Sequence, residues 1–258
     1  MAQSPFFSFI TTMKKIRLLL SALLTSALLA APSITASQIQ EANKTKADSS
    51  STKSNAKTET IARLTEKDYQ EVAKSLGVET AAIKAVVDIE AGTAHQGFFA
   101  PGKPIVNFDL SMFKQHARKN GINLSRYSNS HAIVFSGPNA KRFGSVQAAQ
   151  QERLRVARTI DNKTGIEGAF WGMFQIGGFN WKLCGCSNIN EFVEKMSKSE
   201  RSQLDLFAVF IKNLGLDKAL RNKDWAAFSK VYNGPSYASR GYHTRMAQAY
   251  ARHKAKEK

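Results

Sequence analysis

A carboxylate stands where an apolar side chain is expected. Ile83, Val86 and Val87 fall at i, i+3 and i+4 of a helical stripe, and Glu90 occupies i+7 of the same series. An ionised Glu there costs free energy unless it is paired or neutralised. A carboxyl that keeps its proton near neutral pH is also what a general acid needs. The competing reading is a half-buried Glu bonded to a helix N-terminus or to an Arg.

Two other segments have chemical promise. Trp171-Gly172-Met173-Phe174-Gln175-Ile176-Gly177-Gly178 sets a polar Gln among glycines, a composition that lets backbone approach a ligand closely. Met173 and Ile176 are ordinary core residues by type. Tyr232-Asn233-Gly234-Pro235-Ser236-Tyr237 is a turn signal. Its tyrosines either flank a helix end or form a sugar-stacking platform. Cys184-Gly185-Cys186 would make a small, strained ring if bridged, which leaves free thiols or an intermolecular bond as alternatives. The histidines (His95, His116, His131, His243 and His253) show no metal-ligand spacing with one another or with the cysteines. No metal and no cofactor are expected.

These residues must be carried by a mostly helical domain. Thr65 with Asp68 forms a capping box ahead of a helix to Leu76, which Gly77 ends. A second helix runs from about Glu79 to Ala91 and carries Glu90. Ile105 to Phe108 and Ala132 to Phe135 are expected strands of a small sheet, joined through loops rich in Asn, Gly and Ser. Gln147 to Thr159 is a basic amphipathic helix. Ser197 and Glu200 form a second capping-box pattern, before Leu204, Phe207, Ala208, Ile211 and Leu214 at helical spacing with Gly215 as terminator. Helices from Asp224 to Val231 and from Tyr242 to His253 follow. The fold class is α+β, mostly helical, with a small β element.

A Glu-Ala-Gly helix end, a Trp-Gly-x-Phe-Gln-Ile stretch and a Tyr-Asn-Gly-Pro turn, in that order, resemble the N-acetylmuramidase family of phage endolysins and bacterial cell-wall hydrolases. The resemblance extends from about Ile61 to Tyr250 and takes in Gln203-Leu204-Asp205, Phe207, Asp224-Trp225, Ala227-Phe228 and Tyr242. It implies a lysozyme-like fold and cleavage of the β-1,4 bond between N-acetylmuramic acid and N-acetylglucosamine. It gives Glu90 the general-acid role and sets Gln175, with Trp171 and Phe174, and Tyr232 with Asn233, along the sugar cleft. Where the family usually has Phe-Glu-x-His, this chain reads Phe108-Asp109-Leu110-Ser111. Asp109 is accordingly a second acid, a cleft-shaping residue or a structural one. The separation of two acting carboxylates would set the stereochemistry, about 5–5.5 Å for retention and about 6.5–9.5 Å for inversion. The rival readings are a lytic transglycosylase using the same Glu and a non-catalytic peptidoglycan-binding protein.

The 258 residues carry 37 Lys and Arg against 20 Asp and Glu, a net charge of +17. Such an excess calls for an anionic partner. Met13, Lys14, Lys15 and Arg17 precede an apolar run from Leu18 to Ala31, then Pro32 to Ser37. This describes a signal peptide over 1–36, cleaved after Ala36, with Met13 as a natural start. Residues 37–60 are rich in Ser, Thr, Lys, Asn and Ala and form an expected flexible linker. Three charges belong to the leader and one net charge to the linker, so +13 remains on a single domain over 61–258. The expected location is periplasmic or secreted, without a stable membrane anchor after cleavage. Peptidoglycan glycan strands are the expected partner, with an inhibitor or immunity protein as a further one. Nucleic acid is not expected, because no recognised binding motif accompanies the charge.

Overall fold

The computed structural model of the chain describes residues 61–92 and 95–257. The expected leader and linker lie outside the described residues.

Helix α1 (Glu66–Leu76) opens on the expected capping box. The Thr65 hydroxyl accepts the Asp68 N–H, and the Asp68 carboxylate accepts the Thr65 N–H. Gly77, at φ 63°, closes it in the left-handed conformation. Helix α2 (Thr80–Glu90) buries Ala81, Ala82, Ile83, Ala85, Val86 and Val87 and ends on Glu90. A hairpin of β1 (Phe98–Ala100) and β2 (Lys103–Pro104) follows. Strand β3 (Val106–Phe108) begins a second sheet.

Helix α3 (Leu110–Lys119) and a 3₁₀ turn, Leu124–Tyr127, occupy the stretch expected to be loop. The short helices α4 (Ala132–Phe135) and α5 (Ala140–Phe143) lead to α6 (Val146–Ile160), then α7 (Asn162–Glu167). The expected strand at Ala132 to Phe135 is therefore corrected to one helical turn. A short apolar run does not choose between strand and helix by itself. Here Val134 is buried against α6 and its carbonyl accepts from Arg153, so tertiary packing makes the choice.

Strands β4 (Ala169–Trp171) and β5 (Ile176–Gly177) complete an antiparallel sheet of order β3-β4-β5, with Val106 opposite Trp171 and Phe170 opposite Gly177. Helix α8 (Ile189–Lys198) precedes α9 (Glu200–Asn213). The cap of α9 is Ser199, whose hydroxyl accepts the Ser202 N–H, whereas Ser197 lies inside α8. Gly215 terminates α9 at φ 70°. Helices α10 (Asp217–Arg221), α11 (Trp225–Tyr232) and α12 (Tyr242–Ala255) end the domain.

One apolar core joins these elements. Val86, Val106, Trp171, Phe207, Ile211 and Phe228 belong to it. The fold is mostly helical with a small antiparallel sheet. No helix among the described residues is long and apolar enough to cross a membrane.

Candidate active site

Glu90 is half-buried at the last position of α2. Helix α2 is clamped from both ends. Glu79, its N-cap, accepts from the Tyr250 hydroxyl at 2.9 Å and pairs with Lys223 and Lys254. Near the other end, Asp88 meets His253 of α12 at 2.8 Å and His95 of the following segment at 3.1 Å. The carboxylate thus stands on a helix fixed against α12.

The Glu90 Oε1 accepts the Asn233 amide N–H at 2.8 Å, a bond spanning 143 residues. Asn233 is the C-cap of α11, and its own backbone N–H donates to Ser229. Its side-chain Oδ1 is buried and has no partner among the described residues. The neighbouring Tyr232 hydroxyl donates to the Phe174 carbonyl at 3.1 Å. Gln175, directly after Phe174, closes the β4–β5 turn. Its backbone N–H and its side-chain amide both donate to the Gly172 carbonyl, at 3.1 and 2.9 Å. Gln175 holds φ 48°, an uncommon conformation for a non-glycine residue. The three segments singled out in the sequence are therefore joined, Glu90 to Asn233 and Tyr232 to Phe174.

The ring positions differ from a stacking platform. Trp171, Phe174 and Tyr232 are each 2–3% exposed or less. The Trp171 indole N–H donates to the Ile166 carbonyl, Phe174 stacks on Phe207 at 4.2 Å, and Tyr232 stacks on Phe228 at 5.5 Å. Their faces are covered by protein, so they hold the site from behind. Gln175, Asn233 and Tyr237 are half-buried and retain exposed surface. The glycines of the turn lie close against protein. A Cβ on Gly172 would lie 2.8 Å from the Gln203 amide, and one on Gly178 would lie 2.1 Å from the Ile166 carbonyl oxygen.

Asp109 is the N-cap of α3, its Oδ1 accepting the Met112 N–H at 2.9 Å. Its backbone N–H donates to Gly168, which ties it to the end of β3 and the sheet. Arg153, buried beneath, donates to the Phe108 carbonyl and covers the Phe108 ring at 4.9 Å. No hydrogen bond or ion pair among the described residues joins Asp109 to Glu90.

Two buried polar residues were not anticipated as supports. Gln203, wholly buried, accepts the Met173 N–H at 2.8 Å and donates to the Gly97 and Met196 carbonyls. Glu200 accepts from Arg63 at 2.9 Å and from the Leu64 and Gly97 N–H groups. Together they fix both the β4–β5 turn and the segment leaving Glu90. The signal for Gln203 was present: it shares a helical stripe with Phe207 and Phe210, as Glu90 does with its own apolar neighbours.

Cys184 and Cys186 are free and buried, and burial pushes both thiols above their ordinary range. No group of three or more His, Cys, Asp or Glu among the described residues could hold a metal ion.

A half-exposed carboxylate fixed by an amide at a helix end can deliver a proton to a bound oxygen. The hydrogen bond from Asn233 is then available to the carboxylate that remains. Comparison with known proteins places the chain in a family. Residues 79–254 match the N-acetylmuramidase family. The chain is similar to the Burkholderia AP3 phage endolysin seen in a crystal structure, with 32% identity and a TM-score of 0.65 over 76% of this chain and 72% of that one. No curated protein matches it. The family match spans well over half of the sequence, from the start of α2 to the last turns of α12, and the chain belongs to the N-acetylmuramidase family, as a peptidoglycan hydrolase of the lysozyme type.

Proposed function

We propose that the chain hydrolyses the β-1,4 bond between N-acetylmuramic acid and N-acetylglucosamine, with Glu90 as the general acid. The observation that carries this reading is the Asn233 to Glu90 hydrogen bond, which ties the carboxylate to the helix end that Tyr232 bonds to the Phe174 carbonyl. Glu90 gives its proton to the leaving glycosidic oxygen as the bond breaks through an oxocarbenium-like transition state, and water completes the hydrolysis. Asn233 holds the carboxylate, Gln175 lines the cleft, and Trp171, Phe174 and Tyr232 keep the two segments in register. Asp109 shapes the β3–α3 corner by capping the helix rather than acting as a second acid. Residues 1–36 direct export, residues 37–60 tether the domain, and the enzyme works in the periplasm or outside the cell. Its positive charge draws it to anionic wall polymer.

Mass spectrometry of released muropeptides tests the reading. Wild type should yield reducing N-acetylmuramic acid ends. Glu90→Gln should lose about 10²- to 10⁴-fold in rate while keeping its circular dichroism spectrum and its binding to sacculi. Products ending only in 1,6-anhydro sugars would replace hydrolysis with transglycosylation, and full activity in Glu90→Gln would remove Glu90 from the mechanism.

A further inference from the structure

A second concave surface lies apart from the Glu90–Asn233 contact. It is a groove of about 630 Å³ walled by the β1–β2 hairpin, the end of α5, one face of α6 and part of α8. That volume is within the range of ligand-sized clefts. Phe99 contributes an exposed ring (39%) from the hairpin, and Phe143, half-buried, lines the groove from α5. Phe99 is the only aromatic residue among the exposed large hydrophobics of the described chain. Exposed aromatic surface beside a concavity is more informative than a scattered apolar side chain.

The charge of the lining is one-sided. Lys103, Arg155 and Arg158 face the groove together with a single carboxylate, Glu152. Glu152 is consumed by Arg155, which binds both of its oxygens at 2.7 and 2.8 Å. Lys103 and Arg158 have no acidic partner among the described residues, and the Arg158 Nε–H donates to the neutral Asn162 at 2.9 Å. Outside that lining, Arg142 lies over the Phe143 ring at 5.2 Å. Two uncompensated cations and two ring surfaces suit a ligand with free carboxylates on a partly apolar chain.

We infer that this groove receives a carboxylate-bearing peptide stem of the peptidoglycan. The inference rests on the assignment of peptidoglycan as the substrate and adds a site for its peptide part. The hairpin wall follows Glu90 within the chain, and Trp171, which also lines the groove, begins the segment that contains Gln175. A stem seated here is held by the same two segments that support the catalytic turn. The groove thereby selects peptide-bearing strands over naked glycan.

The test compares intact sacculi with glycan strands stripped of peptides by an amidase. The double variant Lys103→Gln, Arg158→Gln is set against Lys212→Gln, Lys218→Gln, which removes the same charge from exposed positions on α9 and α10. The groove variant should raise KM on sacculi by about fivefold or more, with kcat unchanged and KM on stripped glycan unmoved. The control should leave the ratio of the two substrates as in wild type. An equal rise on both substrates, the same effect in the control, or no effect on either would each overturn the inference. If wild type cleaves neither substrate, the glycosidase reading fails on its own. Cosedimentation of the same variants with sacculi and with stripped glycan then decides the groove: selective loss on sacculi supports it, and any other pattern refutes it.

Discussion

At the scale of the residue, Asn233 decides how Glu90 is presented. Its amide donates to one carboxylate oxygen, and its own carbonyl oxygen is buried without a partner among the described residues. An amide can donate to a carboxylate, whereas a carboxylate in its place would repel it. Asn233→Asp should therefore produce two acids at hydrogen-bonding distance that titrate as a pair, with one apparent pKa raised. The basic limb of kcat against pH should move upward by about one unit or more. An unmoved limb would show that position 233 does not touch the acid in solution.

At the scale of the element, the β4–β5 turn is a piece of backbone pressed against a buried amide. Gly172 holds φ 68°, and a Cβ there would meet Gln203 at 2.8 Å. Gly102 has a similar φ of 67° but open space around it. Gly102→Ala should cost only the backbone strain, about 1 kcal/mol, and Gly172→Ala about 2 to 3 kcal/mol or more, because the amide must also shift. Urea unfolding of both variants measures the difference. Equal losses would mean that the turn is not clamped by Gln203. The same element shows how far local signals reach. Capping residues and helical spacing mark α1, α2, α6, α9, α11 and α12, whereas α3, α5, α7, α8 and α10 carry no such signal and Ala132 to Phe135 is helix in place of the expected strand. In that last segment the burial of Val134 and the Arg153 bond outweigh β propensity.

At the scale of the whole molecule, Glu79 ties the start of α2 to the C-terminal helices. Lys223, Lys254 and Tyr250 all bond its carboxylate and lower its pKa from an ordinary 4.5 to about 2. Its folded-state pKa is depressed, so its stabilising effect is present above about pH 4.5 and is lost as pH falls through about 2. Glu79→Gln should lower the melting temperature at pH 6, and the gap from wild type should close by pH 2. High salt should shrink the gap, because the cluster is partly exposed. A gap that stays constant with pH would assign the loss to packing rather than charge.

The sequence alone determined the helical character, the capped starts and ends of several helices, and the odd placement of Glu90 on an apolar stripe. These depend on neighbours three or four residues apart, and that spacing is visible in the chain. It also singled out the Trp171–Gly178 and Tyr232–Tyr237 segments by composition and by family resemblance. Only the tertiary structure decided which of their side chains face solvent. Trp171 and Phe174 are covered by rings of α8 and α9, and Tyr232 by Phe207 and Phe210 of α9, while Gln175 and Asn233 remain accessible. It also decided that Asp109 caps α3 and that Asn233 meets Glu90 across 143 residues. Such pairings arise because burial of a shared core fixes helices against one another, and nothing in the local spacing of either segment encodes the other's position.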